Sequence, residues 1–228
     1  MSRVKVKICG LQEEEHLLAA ARAGVDYLGM VFAPSKRRVS LDRAELLRQA
    51  LRALAECPAL VGVFVNESTD VVNAISERCG LDLVQLSGDE NSDYCEKMVR
   101  PIIKTLHVYP ESTVGDIQRE MAAISRGGAL DSITYLLDTG DAGLRGGTGR
   151  QFDWHVAREI SAFCPVIVAG GLNPDSVGNL VQLVQPFGVD VSSGVEHDGR
   201  KDTALVQAFV DAVRKAEQEI DNADNSAA

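Results

Sequence analysis

The strongest constraint on this chain is an alternation. Eight short apolar runs, at residues 4–9, 26–32, 59–65, 82–86, 101–108, 132–138, 164–169 and 188–193, are each followed by a stretch with apolar residues at helical spacing. The runs are nearly continuous in apolarity rather than alternating, as expected of parallel strands covered on both faces. The intervening stretches predict helices over 11–24, from 40, over 69–79, from 89 to about 99, over 114–125, from 153, from 173 and over 203–219. Eight βα units without a linker-like shift in composition predict an α/β protein, a single-domain (β/α)8 TIM barrel over residues 1–219. Residues 220–228 are polar and expected to be a disordered tail. The alternative is an open, doubly wound sheet, but no GxGxxG follows the first strand, where a dinucleotide fingerprint would sit.

Composition excludes several partners. A net charge of −10 argues against nucleic acid and against an anionic membrane surface, both of which reward clustered Lys and Arg. A small anionic ligand stays compatible, because a local site can be positive on an acidic protein. The five cysteines are scattered, odd in number and without CxxC spacing, so neither a disulfide framework nor a metal site is expected. No apolar run approaches the roughly 20 residues of a membrane span. The chain enters its first strand at Val4 with no apolar leader, and a cytoplasmic protein is expected.

In a barrel of this kind the carboxyl ends of all eight strands meet at one rim, where active sites are built. The polar residues falling there are Cys9, Arg37 in the loop after the second strand, Gln85, Asp138 and Asp190. Each has a plainer reading. Cys9 could close a core strand as a small hydrophobe, and Asp138 could be a cap or a solvated carboxylate. Lys36 and Arg38 beside Arg37 read as solvated charges. Glycines after strands seven and eight suit a phosphate, because backbone N–H groups converge on the anion and no side chain blocks it. Gly147 in the glycine-rich loop six, with Gly170, Gly171, Ser192, Ser193 and Gly194, are the candidate phosphate ligands.

These residues also carry a family resemblance. Lys7-Ile8-Cys9-Gly10, Gly62-Val63-Phe64-Val65-Asn66, Val84-Gln85-Leu86, Leu137-Asp138, Gly146-Gly147-Thr148-Gly149, Ala169-Gly170-Gly171-Leu172-Asn173-Pro174 and Val189-Asp190-Val191-Ser192-Ser193-Gly194-Val195-Glu196 closely resemble phosphoribosylanthranilate isomerase, in order along nearly the whole chain. The resemblance implies a cofactor-free isomerase of tryptophan biosynthesis acting on a small phosphorylated substrate by an Amadori rearrangement, as a monomer or homodimer. It implies Asp138 as general acid on the ring oxygen, Cys9 as general base on the C2′ hydrogen, and Arg37 on the anthranilate carboxylate. Asp190 would contact sugar hydroxyls or orient the strand-eight loop. One departure stands out: the family commonly reads Gln-Leu-His-Gly after strand four, and here the run is Gln85-Leu86-Ser87-Gly88.

The implied roles demand perturbed acidities. A free aspartate is ionised and a free thiol mostly protonated at neutral pH. Asp138 must therefore be desolvated or lie near another carboxylate, and Cys9 needs cationic help. Lys7 shares the strand face of Cys9 by the period of two and is the local candidate. Loop six, residues 139–149, is expected to close over substrate. The histidine-pathway isomerase is the nearest rival, but an aspartate is expected there in place of Cys9. Indole-glycerol-phosphate synthase would need a lysine acid, a glutamate base and a longer chain. A non-catalytic barrel that binds a phosphorylated ligand is the rival of a different class.

Overall fold

Eight parallel strands close on themselves in chain order: β1 (Lys5–Cys9), β2 (Tyr27–Val31), β3 (Ala59–Phe64), β4 (Leu83–Leu86), β5 (Ile102–Val108), β6 (Ile133–Thr139), β7 (Val166–Val168) and β8 (Gly188–Val191). The computed structural model describes residues 3–125, 133–139 and 153–227, with side chains to residue 223. Helices follow the strands: α1 (Glu14–Arg22), α2 (Leu41–Leu51), α3 (Thr69–Arg78), α4 (Ser92–Cys95), α5 (Val114–Ile124), α6 (Trp154–Ser161), α7 (Val177–Val184) and α8 (Thr203–Ala227). The fold is the TIM barrel expected from the alternation. Its seam is the β1–β8 pairing, in which Lys5 faces Gly188 and Lys7 faces Asp190.

Strand parity divides the core in two. Val6 and Ile8 of β1, Leu28 and Met30 of β2 and Val84 of β4 pack outward against the helices in the largest apolar cluster. Inside the barrel, Val61, Ile103, Leu136, Ile167 and Ala169 form a separate plug with Tyr27, Leu83 and Phe187. Cys9 belongs to neither. With Val31, Val63 and Ala33 it forms a small third group. The interior is therefore filled with side chains, and only its upper layer is left for chemistry.

Two helices depart from the sequence reading. The fourth, expected to reach about residue 99, is a single turn. Asn73 captures the backbone beyond it, donating to the Lys97 carbonyl at 2.8 Å and accepting from the Val99 N–H at 3.2 Å. Backbone groups held by a side chain from another helix are not available for a helical ladder. The last helix runs past Glu219 to Ala227, and Ile220 is 9% exposed against the core. The expected polar tail thus begins as a packed helix.

Between β8 and α8 lies a feature the alternation does not contain: a two-stranded hairpin, β9 (Glu196–His197) with β10 (Arg200–Lys201). The loop after β4 is fixed by a buried ion pair. Lys104, on the outer face of β5, donates to Glu90 Oε2 at 2.8 Å and to the carbonyls of Gly88 at 2.7 Å and Leu86 at 3.3 Å. Glu90 also accepts the N–H groups of Gly88 and Asn66. Among the described residues, no helix is long and apolar enough to cross a membrane.

Removing one partner of a buried pair leaves an uncompensated charge. Lys104→Met is expected to destabilise the protein by about 3–5 kcal/mol, read as a lower urea midpoint with an unchanged slope.

Candidate active site

The geometry is built outward from Lys7. Its side chain is fully buried, and its ammonium donates to Asp190 Oδ1 at 2.9 Å across the seam. Burial alone would lower the Lys7 pKa, but the attraction of Asp190 and then of Cys9 outweighs it, and the group stays charged. Room for this comes from β2, where Gly29 stands opposite Cys9. A Cβ at position 29 would lie 3.1 Å from Cys9 Sγ and 3.2 Å from Lys7 Nζ. The sequence reading placed Lys7 on the face of Cys9, and the structure brings them together.

Cys9 is 8% exposed. Burial pushes its thiol above the ordinary 9.0, and Asp190 pushes the same way, while Lys7 and then Lys201 pull it down. Burial wins, so the resting group is a thiol held beside two cations. Asp138, on the inner face of β6, is shifted in the same direction. Loss of water around it, then the charge of Asp190, raises its pKa from 3.8 to about 6, against a bond from the Thr139 backbone and the charge of Lys7. A fraction of this carboxyl is therefore protonated at neutral pH. Across β5–β6 it pairs in register with His107, to which the sequence assigned no role.

The remaining sequence candidates fall into two groups. Gln85 is buried at the end of β4, where its Nε2 donates to Ser87 Oγ at 3.0 Å and Thr105 Oγ1 at 3.4 Å. Ser87 and Thr105 hydroxyls lie 2.9 Å apart, so the serine that departs from the family motif is absorbed into this cluster. Gln85 Oε1 is buried without a partner among the described residues. Arg37 is half-buried, while Lys36 and Arg38 are exposed as the plain reading held. Its fork is occupied: Nε and Nη2 donate to Glu196 Oε1 and Oε2 at 2.6 and 2.8 Å.

Loops seven and eight are brought edge to edge. Gly170 has φ +92, a region that suits glycine, and a Cβ there would lie 2.2 Å from Thr139 Oγ1. A Cβ at Gly194 would lie 1.8 Å from the Leu172 carbonyl oxygen, so the short 3-10 turn Ser193–Val195 packs directly on loop seven. Ser192 turns away toward β1, donating to the Cys9 carbonyl at 3.1 Å. Gly147 and loop six beyond Thr139 lie outside the described residues. Glu196, Lys201 and Thr105 were missed as site residues.

The whole length of the chain bears on its kinship. Residues 6–212 match the family model described as N-(5'phosphoribosyl)anthranilate (PRA) isomerase, a span that includes Cys9 and Asp138. The chain belongs to this family. The N-(5'-phosphoribosyl)anthranilate isomerase of Dehalococcoides mccartyi is 43% identical over 218 residues, covering 94% of this chain and 97% of the relative. The crystal structure of the Thermotoga maritima phosphoribosyl anthranilate isomerase superposes with a TM-score of 0.78 at 33% identity, over 93% of this chain and 99% of that one. Another isomerase structure, in complex with reduced 1-(o-carboxyphenylamino)-1-deoxyribulose 5-phosphate, gives a TM-score of 0.75 at 33% identity over the same shares. The chain is thus an isomerase of tryptophan biosynthesis, of the intramolecular oxidoreductase class that interconverts aldose and ketose.

The raised pKa of Asp138 has a stability consequence with a definite sign. Below the unfolded value near 4 the carboxyl is neutral in both states and contributes nothing unfavourable. As pH rises through about 6 the folded protein must hold a desolvated charge, and stability is lost. Asp138→Asn removes that cost. The variant is expected to be about 2–3 kcal/mol more stable than wild type at pH 8 in urea unfolding, the gain shrinking toward zero as pH falls from 6 to 4.

Proposed function

We propose that the chain converts N-(5-phosphoribosyl)anthranilate to 1-(2-carboxyphenylamino)-1-deoxyribulose 5-phosphate, with Asp138 as general acid and Cys9 as general base. The observation that carries the assignment is the pair itself. In a member of this family, a carboxyl pushed up to about 6 and a buried thiol beside two cations stand on the β6 and β1 ends of one rim.

The chemistry assigns each proton. Asp138 gives its proton to the ring oxygen, the C1′–O bond breaks, and the nitrogen lone pair forms an iminium at C1′. The Cys9 thiolate then removes the C2′ hydrogen, and those electrons neutralise the iminium to give an enol bearing the amine. Loss of the enol O–H proton with protonation at C1′ gives the aminoketose. No atom is gained or lost and no external oxidant is consumed. Lys7 steadies the thiolate that this step requires.

Around that pair the other candidates have complementary tasks. Arg37 presents a planar guanidinium of five donors, two of them on Glu196, suited to the anthranilate carboxylate. Gln85 accepts from a substrate N–H or O–H in this reading, which its unpartnered Oε1 supports among the described residues. Asp190 contributes through Lys7 and Asp138. Gly170, Gly171, Ser193 and Gly194, at the junction of loops seven and eight, are the described part of the proposed phosphate cradle, and Gly147 of loop six, outside the described residues, is the remaining candidate. Ser192 supports that loop from the β1 side.

Because Asp138 titrates below Cys9, the competent form, with Asp138 protonated and Cys9 ionised, is a minor one. Its fraction is level between the two pKa values and falls outside them. The profile of kcat/KM against pH is therefore expected to rise to about 6 and stay flat to the alkaline limb set by Cys9. In a coupled fluorescence assay with freshly made substrate, Cys9→Ala and Asp138→Asn should each lose about 100-fold or more in kcat. Full activity in both variants would sink the assignment. Substrate binding without turnover by the wild type would instead favour a binding barrel.

A further inference from the structure

Two buried charges at the β8 side of the mouth are unused by the proton transfers. Glu196 opens β9 and Lys201 closes β10, and the hairpin carries both back to the rim, with side chains 6% and 3% exposed. Lys201 Nζ donates to Glu196 Oε1 at 2.6 Å and to the Ser192 carbonyl at 3.0 Å, and lies 3.4 Å from Ser192 Oγ. Glu196 holds both ends of the Arg37 fork, and the Ser192 hydroxyl bonds the Cys9 carbonyl. The stem of Arg37 crosses Gly10, where a Cβ would come within 2.5 Å of its Cδ. Contacts thus run without a gap from Arg37 through Glu196, Lys201 and Ser192 to Cys9.

The charges around Cys9 give this chain a purpose beyond packing. Lys7 faces it from β1, Arg37 from the loop after β2 and Lys201 from the hairpin. The carboxylates are Asp190 from β8 and Glu196 from β9, while β2 and β3 contribute only uncharged Gly29, Val31 and Val63. Asp138 is neutral when it acts as acid. Among the described residues, three cations against two carboxylates leave one positive charge, which a thiolate at Cys9 balances. A hairpin needing only stability would gain as much from apolar residues at these two buried positions.

We propose that Lys201 is a positioning residue of the isomerase site: through Glu196 it fixes the Arg37 guanidinium, and with Lys7 it supplies the charge that a Cys9 thiolate balances. The inference rests on Cys9 as the base and Arg37 as the carboxylate ligand. It has a readout that needs no turnover, the pH dependence of Cys9 alkylation by iodoacetamide, resolved from the other cysteines by peptide mass spectrometry.

Opposite signs make the test specific. Lys201→Met removes a cation and should move the Cys9 titration to higher pH, by about half a unit or more, with Lys201→Arg restoring most of it. Glu196→Gln removes the carboxylate that compensates Lys201 and Arg37, and should move the titration to lower pH. Both should raise KM several-fold more than they lower kcat, since the Arg37 fork is loosened in each. General loosening of the mouth would move both titrations the same way, and that result, or none, overturns the proposal. Circular dichroism confirms folding, and if Lys201→Met does not fold, the acid shift in Glu196→Gln decides alone. A wild type that fails to turn over substrate would defeat the proton-transfer reading, while the alkylation data would still decide the role of Lys201.

Discussion

Everything at the mouth of this barrel is referred to one ion pair, Lys7 with Asp190. It lies at the β1–β8 seam, the contact that turns eight strands into a closed ring, and the two residues face each other in register. Burying such a pair returns little or no stability once desolvation is counted. Its worth is in what the two charges do to their neighbours. Asp190 raises Asp138, the proposed acid, and Lys7 pulls down Cys9, the proposed base. The same carboxylate also raises Cys9, and Lys7 also lowers Asp138. The pair therefore sets a balance between the proposed acid and the proposed base rather than optimising either.

That balance explains why the site tolerates two groups in their inconvenient protonation states. Burial raises both pKa values, because it penalises any isolated anion. For Asp138 this is the useful direction. For Cys9 it is adverse, and only fixed cations counter it. Cations on flexible surface side chains would swing toward water. Here each is tied to a carboxylate, Lys7 to Asp190 and both Arg37 and Lys201 to Glu196, so that the field at the sulfur is held in place before substrate arrives.

Much of this was legible in the residues, and the illegible part has a physical cause. Strand parity placed Lys7 with Cys9, and strand ends placed Asp138, Gln85 and Asp190 on one rim, because a period of two fixes side-chain direction without tertiary information. The run Glu196-His197-Asp198-Gly199-Arg200-Lys201 is charged and turn-like, and such a run is normally solvated. His197 and Asp198 are indeed exposed, while Glu196 and Lys201 at its ends are folded inward by hairpin pairing. Nothing in local sequence separates the two fates. The same holds for Lys104, a lysine in an apolar strand whose partner Glu90 lies beyond a different strand. The early end of α4 depends on Asn73, again from a distant element.

Serine at position 87 shows how local chemistry can be replaced by a network. A histidine there would project a ring toward the mouth and offer a cation at low pH. The serine does neither, and its hydroxyl is drawn instead onto Gln85 and Thr105. This fixes the Gln85 amide and leaves its oxygen, among the described residues, as the one unsatisfied buried atom of the cluster. A buried acceptor without a partner costs about 1–3 kcal/mol, and a ligand that donates to it recovers that amount on binding. The Lys104–Glu90 clamp holds the loop just beyond Ser87, so the oxygen cannot easily relieve itself by moving. Serine at 87 thus holds the Gln85 amide in a hydroxyl cluster and leaves its oxygen as a fixed acceptor at the end of β4.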